Sequence, residues 1–255
     1  MNRIIKFIVL DILKNKIVIF YTLLLAAFSW SVFSLEDNSA KGLLTLLNII
    51  LLTVPLVSIL FSTIYIYNSA EFIELLLSQP IQRKKIWLGL FIGLSTSLLL
   101  AFIIGVGIPL LLYNASIVGI MMLVVGCIIT LVFTAIAFLC AVSTRDKAKG
   151  IGISIMIWLY FALLFDGLIL FITFQFSDYP IEKALIGISA LSPIDIARIL
   201  ILLNTDSSAM MGYTGAIFKE FLGTSLGVVI AFVVLLLWII IPFAISLKIF
   251  KKKDL

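Results

Sequence analysis

Six apolar runs, each long enough to cross a bilayer, set what this chain can fold into: roughly 17–34, 43–67, 87–112, 118–142, 151–173 and 223–247. A hydrocarbon core of about 30 Å takes roughly 20 residues of helix. Lipid offers backbone N–H and C=O groups no partners, so a spanning run of this length must pair them within itself, as a helix. Composition agrees, with 63% of the 255 residues hydrophobic, 12% charged and a mean hydropathy of +1.30. A soluble domain carries about twice that charge and could not hide the apolar excess behind a polar skin. The fold class is therefore all-α: a polytopic membrane protein with six transmembrane helices. Neither an internal repeat nor a low-complexity linker divides residues 1–255, which read as a single domain.

Orientation follows from the cations. Fourteen of the eighteen Lys and Arg fall at one end of the alternating spans, at Arg3 to Lys16, Arg83 to Lys85, Arg145 to Lys149 and Lys248 to Lys253. Lys41, Lys183, Arg198 and Lys219 fall at the other. The positive-inside rule then puts both termini in the cytoplasm. Residues 1–16 are no signal peptide, because Arg3, Lys6, Asp11, Lys14 and Lys16 interrupt them and no cleavage site follows. Their charges share half a helical wheel, as in a helix lying in the membrane interface. Lys251 to Lys253 read as an anchor against anionic lipid.

Two stretches do not span. On the cation-rich side, residues 68–86 place Glu71, Glu74 and Ser78 on one helical face, with Phe72, Leu75, Leu76 and Leu77 covering much of the rest. Pro80 closes that helix and a basic cluster follows. On the other side lies a segment of about fifty residues, 174–222. Within it Ser192-Pro193-Ile194-Asp195 is a helix start: Ser192 caps, Pro193 takes the first position and Asp195 the third. Short amphipathic helices lying in, or dipping into, the outer leaflet fit this segment.

Catalytic chemistry is poorly served. The chain has no histidine to serve as a base and no phosphate-binding Gly-x-x-x-x-Gly-Lys loop, so ATP and Mg would belong to a partner chain. Cys127 and Cys140 sit in one apolar run as small hydrophobes, and no metal site or directly bound cofactor is expected. Cations at the ends of apolar runs, without interleaved aromatics, give no nucleic-acid surface. Asp166 is the one carboxylate well inside an apolar run, about 24 Å along the fifth span from Gly150. It is either a structural acid bonded to a neighbour or a point on a transport pathway. Gly89, Gly93, Ser97, Ala101 and Gly105 form a small-residue stripe, for packing within the subunit or for a dimer seam.

The order of parts resembles the type-2 ABC transporter permeases: surface helix, two spans, inner coupling helix, then four spans with an outer insert before the last. Glu74-Leu75-Leu76-Leu77-Ser78-Gln79-Pro80-Ile81-Gln82-Arg83 is similar to that family's coupling region. Gly150 to Phe171, with Trp158 and Phe165-Asp166, resembles the NosY permeases of nitrous oxide reductase maturation, as does Ser192 to Arg198 with Asp206-Ser207-Ser208-Ala209 beyond. The resemblance implies a homodimer in the bacterial inner membrane, working with a cytoplasmic NosF-like ATPase and a periplasmic NosD-like β-helix protein. It also implies that the ATPase grips Glu71, Phe72, Glu74, Leu75, Ser78, Gln79, Pro80 and Arg83. Asp195, Arg198, Asp206, Met210 and Met211 would face the periplasmic partner, and the complex would serve copper-sulfur centre assembly. Two alternatives remain: a type-2 exporter of a drug, lipid or polysaccharide, and a secondary transporter. The second would need an inverted repeat and paired polar groups at the midplane, neither of which the sequence displays. No polar row lines the spans, so the cargo is small and sulfur-containing or the permease chiefly transmits force.

Overall fold

A computed structural model describes residues 2–36, 38–113, 116–176, 182–202 and 225–252. Every regular element among them is helical. A short helix, α1 (Asn2–Leu13), precedes the first two spans, α2 (Lys16–Leu35) and α3 (Ser39–Asn68). Then comes α4 (Ala70–Leu77), and the third span runs from α5 (Arg83–Phe102) through a π-helical turn (Ile103–Gly107) into α6 (Ile108–Tyr113). The fourth span is α7 (Ile117–Ser143). The fifth is α8 (Lys147–Leu159), a second π-turn (Tyr160–Leu164) and α9 (Phe165–Gln175). Beyond lie α10 (Glu182–Ser189), α11 (Pro193–Leu202) and the last span, α12 (Ser225–Lys252).

Six of these helical stretches are long and apolar enough to cross a membrane, and they coincide with the six runs of the sequence. Side-chain caps fix where they begin. Asn15 accepts from the Ile17 N–H at 2.9 Å, Ser116 from Gly119 at 3.2 Å and Asp146 from Ala148 at 2.8 Å. Each satisfies an N–H that the first helical turn leaves unpaired.

The core gathers around α7, which packs against α3, α12, α5, α11 and α8. Its apolar window is 67% buried, against 11% for the fifth span and 17% for the sixth, so the described residues leave most of those two uncovered. Alternation of six spans puts α1, α4, the α7–α8 turn and the C-terminal end of α12 at one end, here called the basic end. The α2–α3 and α6–α7 turns, α10 and α11 lie at the far end.

Two of the short helices are seated more deeply than their sequence patterns state. The N-terminal helix does more than lie in an interface: Ile8 and Ile12 are fully buried, packed with α5. Its Asp11 accepts from the Tyr65 hydroxyl of α3 at 3.1 Å, although Phe7 and Leu10 stay exposed on the outer side. The outer helix α11 is the dipping kind of those the segment suggests. Ile194, Ile196, Ala197, Ile199, Leu200 and Ile201 are all buried, so it plugs the far end between α7, α12, α3 and the second π-turn. Its apolar residues cover most of its circumference, which is the pattern of a buried helix.

The small-residue stripe of the third span serves packing within the chain. A Cβ at Gly93 would come within 2.7 Å of Ile8, and one at Gly105 within 2.8 Å of Leu25 and 2.9 Å of the Thr22 carbonyl. The same absence of side chains seats α1 at one end of the span and α2 at the other.

Candidate functional site

Helix α4 follows α3 almost directly, with Ser69 between them, and closes on Ser78, whose N–H donates to the Glu74 carbonyl at 3.0 Å. The Ser78 hydroxyl donates to the Leu75 carbonyl at 2.8 Å, so a second terminal carbonyl is satisfied. Ile73 and Leu76, three residues apart, are buried and pin the helix to the bundle, and the Phe72 ring lies 5.5 Å from that of Phe7 in α1. Glu71, Glu74, Leu75, Ser78, Gln79 and Pro80 are exposed. Leu75 is the surprise. The sequence pattern counts it on the apolar side, but Ile73 takes the inward position and Leu75 stands 59% exposed among the carboxylates.

Arg83 of the expected coupling set reaches the end of the last span. Its guanidinium donates to the Lys251 carbonyl at 3.2 Å, at the last turn of α12. A cation there satisfies a terminal carbonyl and meets the negative end of the helix dipole. Beneath α4 an aromatic cluster joins three spans. Trp87 stacks on Phe250 at 4.2 Å, meets Phe138 edge-on at 4.8 Å, and donates from Nε1 to the Ser246 hydroxyl at 3.1 Å. Phe91 packs on Phe243 at 4.2 Å and on Phe138 at 5.3 Å. A cavity of about 330 Å³ opens between this cluster and α4, lined by Ile73, Glu74, Tyr67, Thr144, Arg145 and Phe250 among others. Tyr67 and Thr144 bond through their hydroxyls at 2.5 Å, and Lys147 donates to Asn68 at 2.7 Å. The rings thus tie α5, α7 and α12 together, and the hydrogen bonds tie the end of α3 to the start of α8. The signal for this cluster was in the sequence as aromatics at Trp87 and Phe91, four apart, and at Phe243 and Phe250, seven apart on the last span.

At the far end a charged cluster forms. Asp166 of α9 accepts from Arg198 of α11 at 2.7 Å, and Arg198 lies 3.7 Å from Asp195. Asp166 therefore has the cationic partner that the fifth span itself does not supply. Asp195 and Arg198, expected to meet an outer partner, point into the protein instead: Asp195 is 5% exposed and Arg198 is spent on Asp166. The cap works as the sequence suggests, with the Asp195 N–H donating to the Ser192 hydroxyl at 3.2 Å. One Asp195 oxygen and the Arg198 Nε remain buried without a partner among the described residues. Burial first, and then the neighbouring Asp166 carboxylate, push the Asp195 carboxyl up to about 7, while Ser192 and Arg198 pull it back. The second π-turn brings Asp166 to this spot. Its extra residue rotates the helix beyond it by about 100° relative to an unbroken α-helix.

Asp206, Met210 and Met211 lie outside the described residues. Among those described, no three His, Cys, Asp or Glu side chains gather where they could hold a metal ion, and Cys127 and Cys140 are free thiols.

Known proteins give this architecture its context. The family model for "ABC-2 family transporter protein" matches residues 32–255. A protein named "Probable ABC transporter permease protein NosY" from Stutzerimonas stutzeri is 26% identical over 215 residues, covering 78% of this chain and 75% of that protein. Its namesake from Pseudomonas aeruginosa is 28% identical over 174 residues, covering 62% of each. With six spans, a pinned non-spanning helix after the second and a family match over all but the first 31 residues, the chain belongs to the ABC-2 family of transporter proteins as a multi-pass, NosY-like type-2 ABC permease.

Proposed function

We propose that this permease is the membrane subunit of an ABC transporter whose ATPase is a separate chain docking on α4. The observation that carries the reading is the exposed Glu71–Glu74–Leu75 edge on a helix fixed by Ile73 and Leu76. Two acids offer charge complementarity to a basic groove, and the exposed leucine adds apolar area for a partner to cover. The basic end then faces the cytoplasm of a bacterial inner membrane, in line with its excess of Lys and Arg. ATP-driven motion would reach the spans through the aromatic cluster under α4.

The similarity to NosY extends the proposal. A homodimer of this chain, with two NosF-like ATPases and a NosD-like periplasmic protein, would deliver a sulfur species or drive copper-site assembly of nitrous oxide reductase. ATP and Mg would be held by the ATPase.

The test is co-purification of the tagged permease with the ATPase encoded beside it. The double variant Glu71→Lys and Glu74→Lys is expected to lose the ATPase while keeping the thermal stability of the free permease, since neither residue is buried. Undiminished co-purification would count against docking at α4. Reversing Arg83 is the poorer choice, because it also uncaps α12.

A further inference from the structure

We infer that the groove between α7, α8 and α12 is a binding site for one acyl chain of an anionic glycerophospholipid, with its headgroup at Lys149. The groove encloses about 760 Å³ and is lined by Ile153, Met156, Trp238 and Pro242, with Thr144 and Lys149 at its basic end. Its walls belong to spans that α7 holds apart, the fifth and sixth, whose surfaces are the least covered by protein.

Three observations select the occupant. First, the lining is apolar except at one end, which is the polarity of a lipid rather than of a soluble ligand. Second, the distance fits one leaflet. Lys149 and Tyr160 mark the groove's ends on the fifth span, and eleven residues of helix rise about 16 Å, close to half of a core about 30 Å thick. Third, the charge fits. Lys149 is exposed at the groove mouth, and Asp146, three residues before it, accepts the Ala148 N–H as a helix cap. An ammonium at headgroup depth attracts anionic lipid. Gly152 makes the room: a Cβ there would meet nothing within 4 Å, so the groove floor is open where a side chain would otherwise stand. The inference is independent of which ATPase or cargo the permease serves.

The experiment uses the full-length permease, delipidated in mild detergent and titrated with dioleoylphosphatidylglycerol or dioleoylphosphatidylcholine under native mass spectrometry. The wild type is expected to retain one phosphatidylglycerol per chain in preference to phosphatidylcholine. Gly152→Trp, which fills the groove, should abolish that retained lipid. Lys149→Gln, an exposed change that leaves the fold intact, should reduce the preference for the anionic lipid about fivefold. Ile19→Trp, on the lipid-facing side of α2, should change neither. Retention by Gly152→Trp equal to wild type, or an unaltered preference in Lys149→Gln, would overturn the site. So would efficient disulfide-linked dimers of Met156→Cys in intact membranes, because a second copy would then cover the groove.

Discussion

Asp195 is the residue on which the far end turns. Its carboxyl is pushed up to about 7, so between about pH 4 and 7 the folded chain holds a proton that the unfolded chain releases. The unfolded state then binds fewer protons, the slope of stability against pH is negative, and stability present at low pH is lost as pH rises through about 7. The melting temperature of the detergent-solubilised permease should therefore fall between pH 5 and 8, and Asp195→Asn should flatten that fall. A curve of equal slope in Asp195→Asn would assign the dependence elsewhere. Asp166→Asn removes one charge from the 2.7 Å pair and should cost about 1–3 kcal/mol. Side-chain exposures of 29% and 31% for the two partners favour the lower half of that range. A third residue-scale test concerns packing. Gly105→Val must push against the Thr22 backbone, which cannot rotate away as a side chain can, and should lose about 1–3 kcal/mol in thermal unfolding.

Among the elements, the π-turn at Tyr160–Leu164 sets the phase of α9 and hence the Asp166–Arg198 pair. Deleting Leu163 removes the extra residue, so it should restore an unbroken helix and leave Asp166 facing Arg198. Inserting one alanine after Leu164 instead should swing Asp166 away by about 100°, and in that background Asp166→Asn should cost nothing further, a loss of coupling that a double-mutant cycle reads directly. This pair also shows where the sequence stops being legible. The six spans are readable because hydropathy is a property of each run alone, and the Ser192 cap because its pattern is local. Asp166 and Arg198 stand 32 residues apart on separate helices, and an α-helical wheel gives the wrong phase for α9 beyond the bulge. The amphipathic pattern of α4 is likewise visible, but Leu75 and Ile73 trade places because burial is decided by how α1, α3 and α5 seat the helix. The docking of α1 on Gly93 could not be read from either segment by itself, since it joins residues 85 positions apart.

At the scale of the whole molecule, the chain is a bundle centred on α7 with a pinned helix at its basic end and a buried plug at the other. The aromatic cluster of Trp87, Phe138, Phe243 and Phe250 ties α5, α7 and the last span together beside α4, which itself packs on α3 and α5. The most direct test places a photocrosslinking amino acid at Leu75 in cells carrying the full complement of partner proteins, with Ile117 at the far end, 81% exposed, as the control position. Irradiation should join position 75, and not 117, to an ABC-type ATPase identified by its peptides. An ATPase adduct at 117 with none at 75 would contradict docking at α4 and the orientation that goes with it.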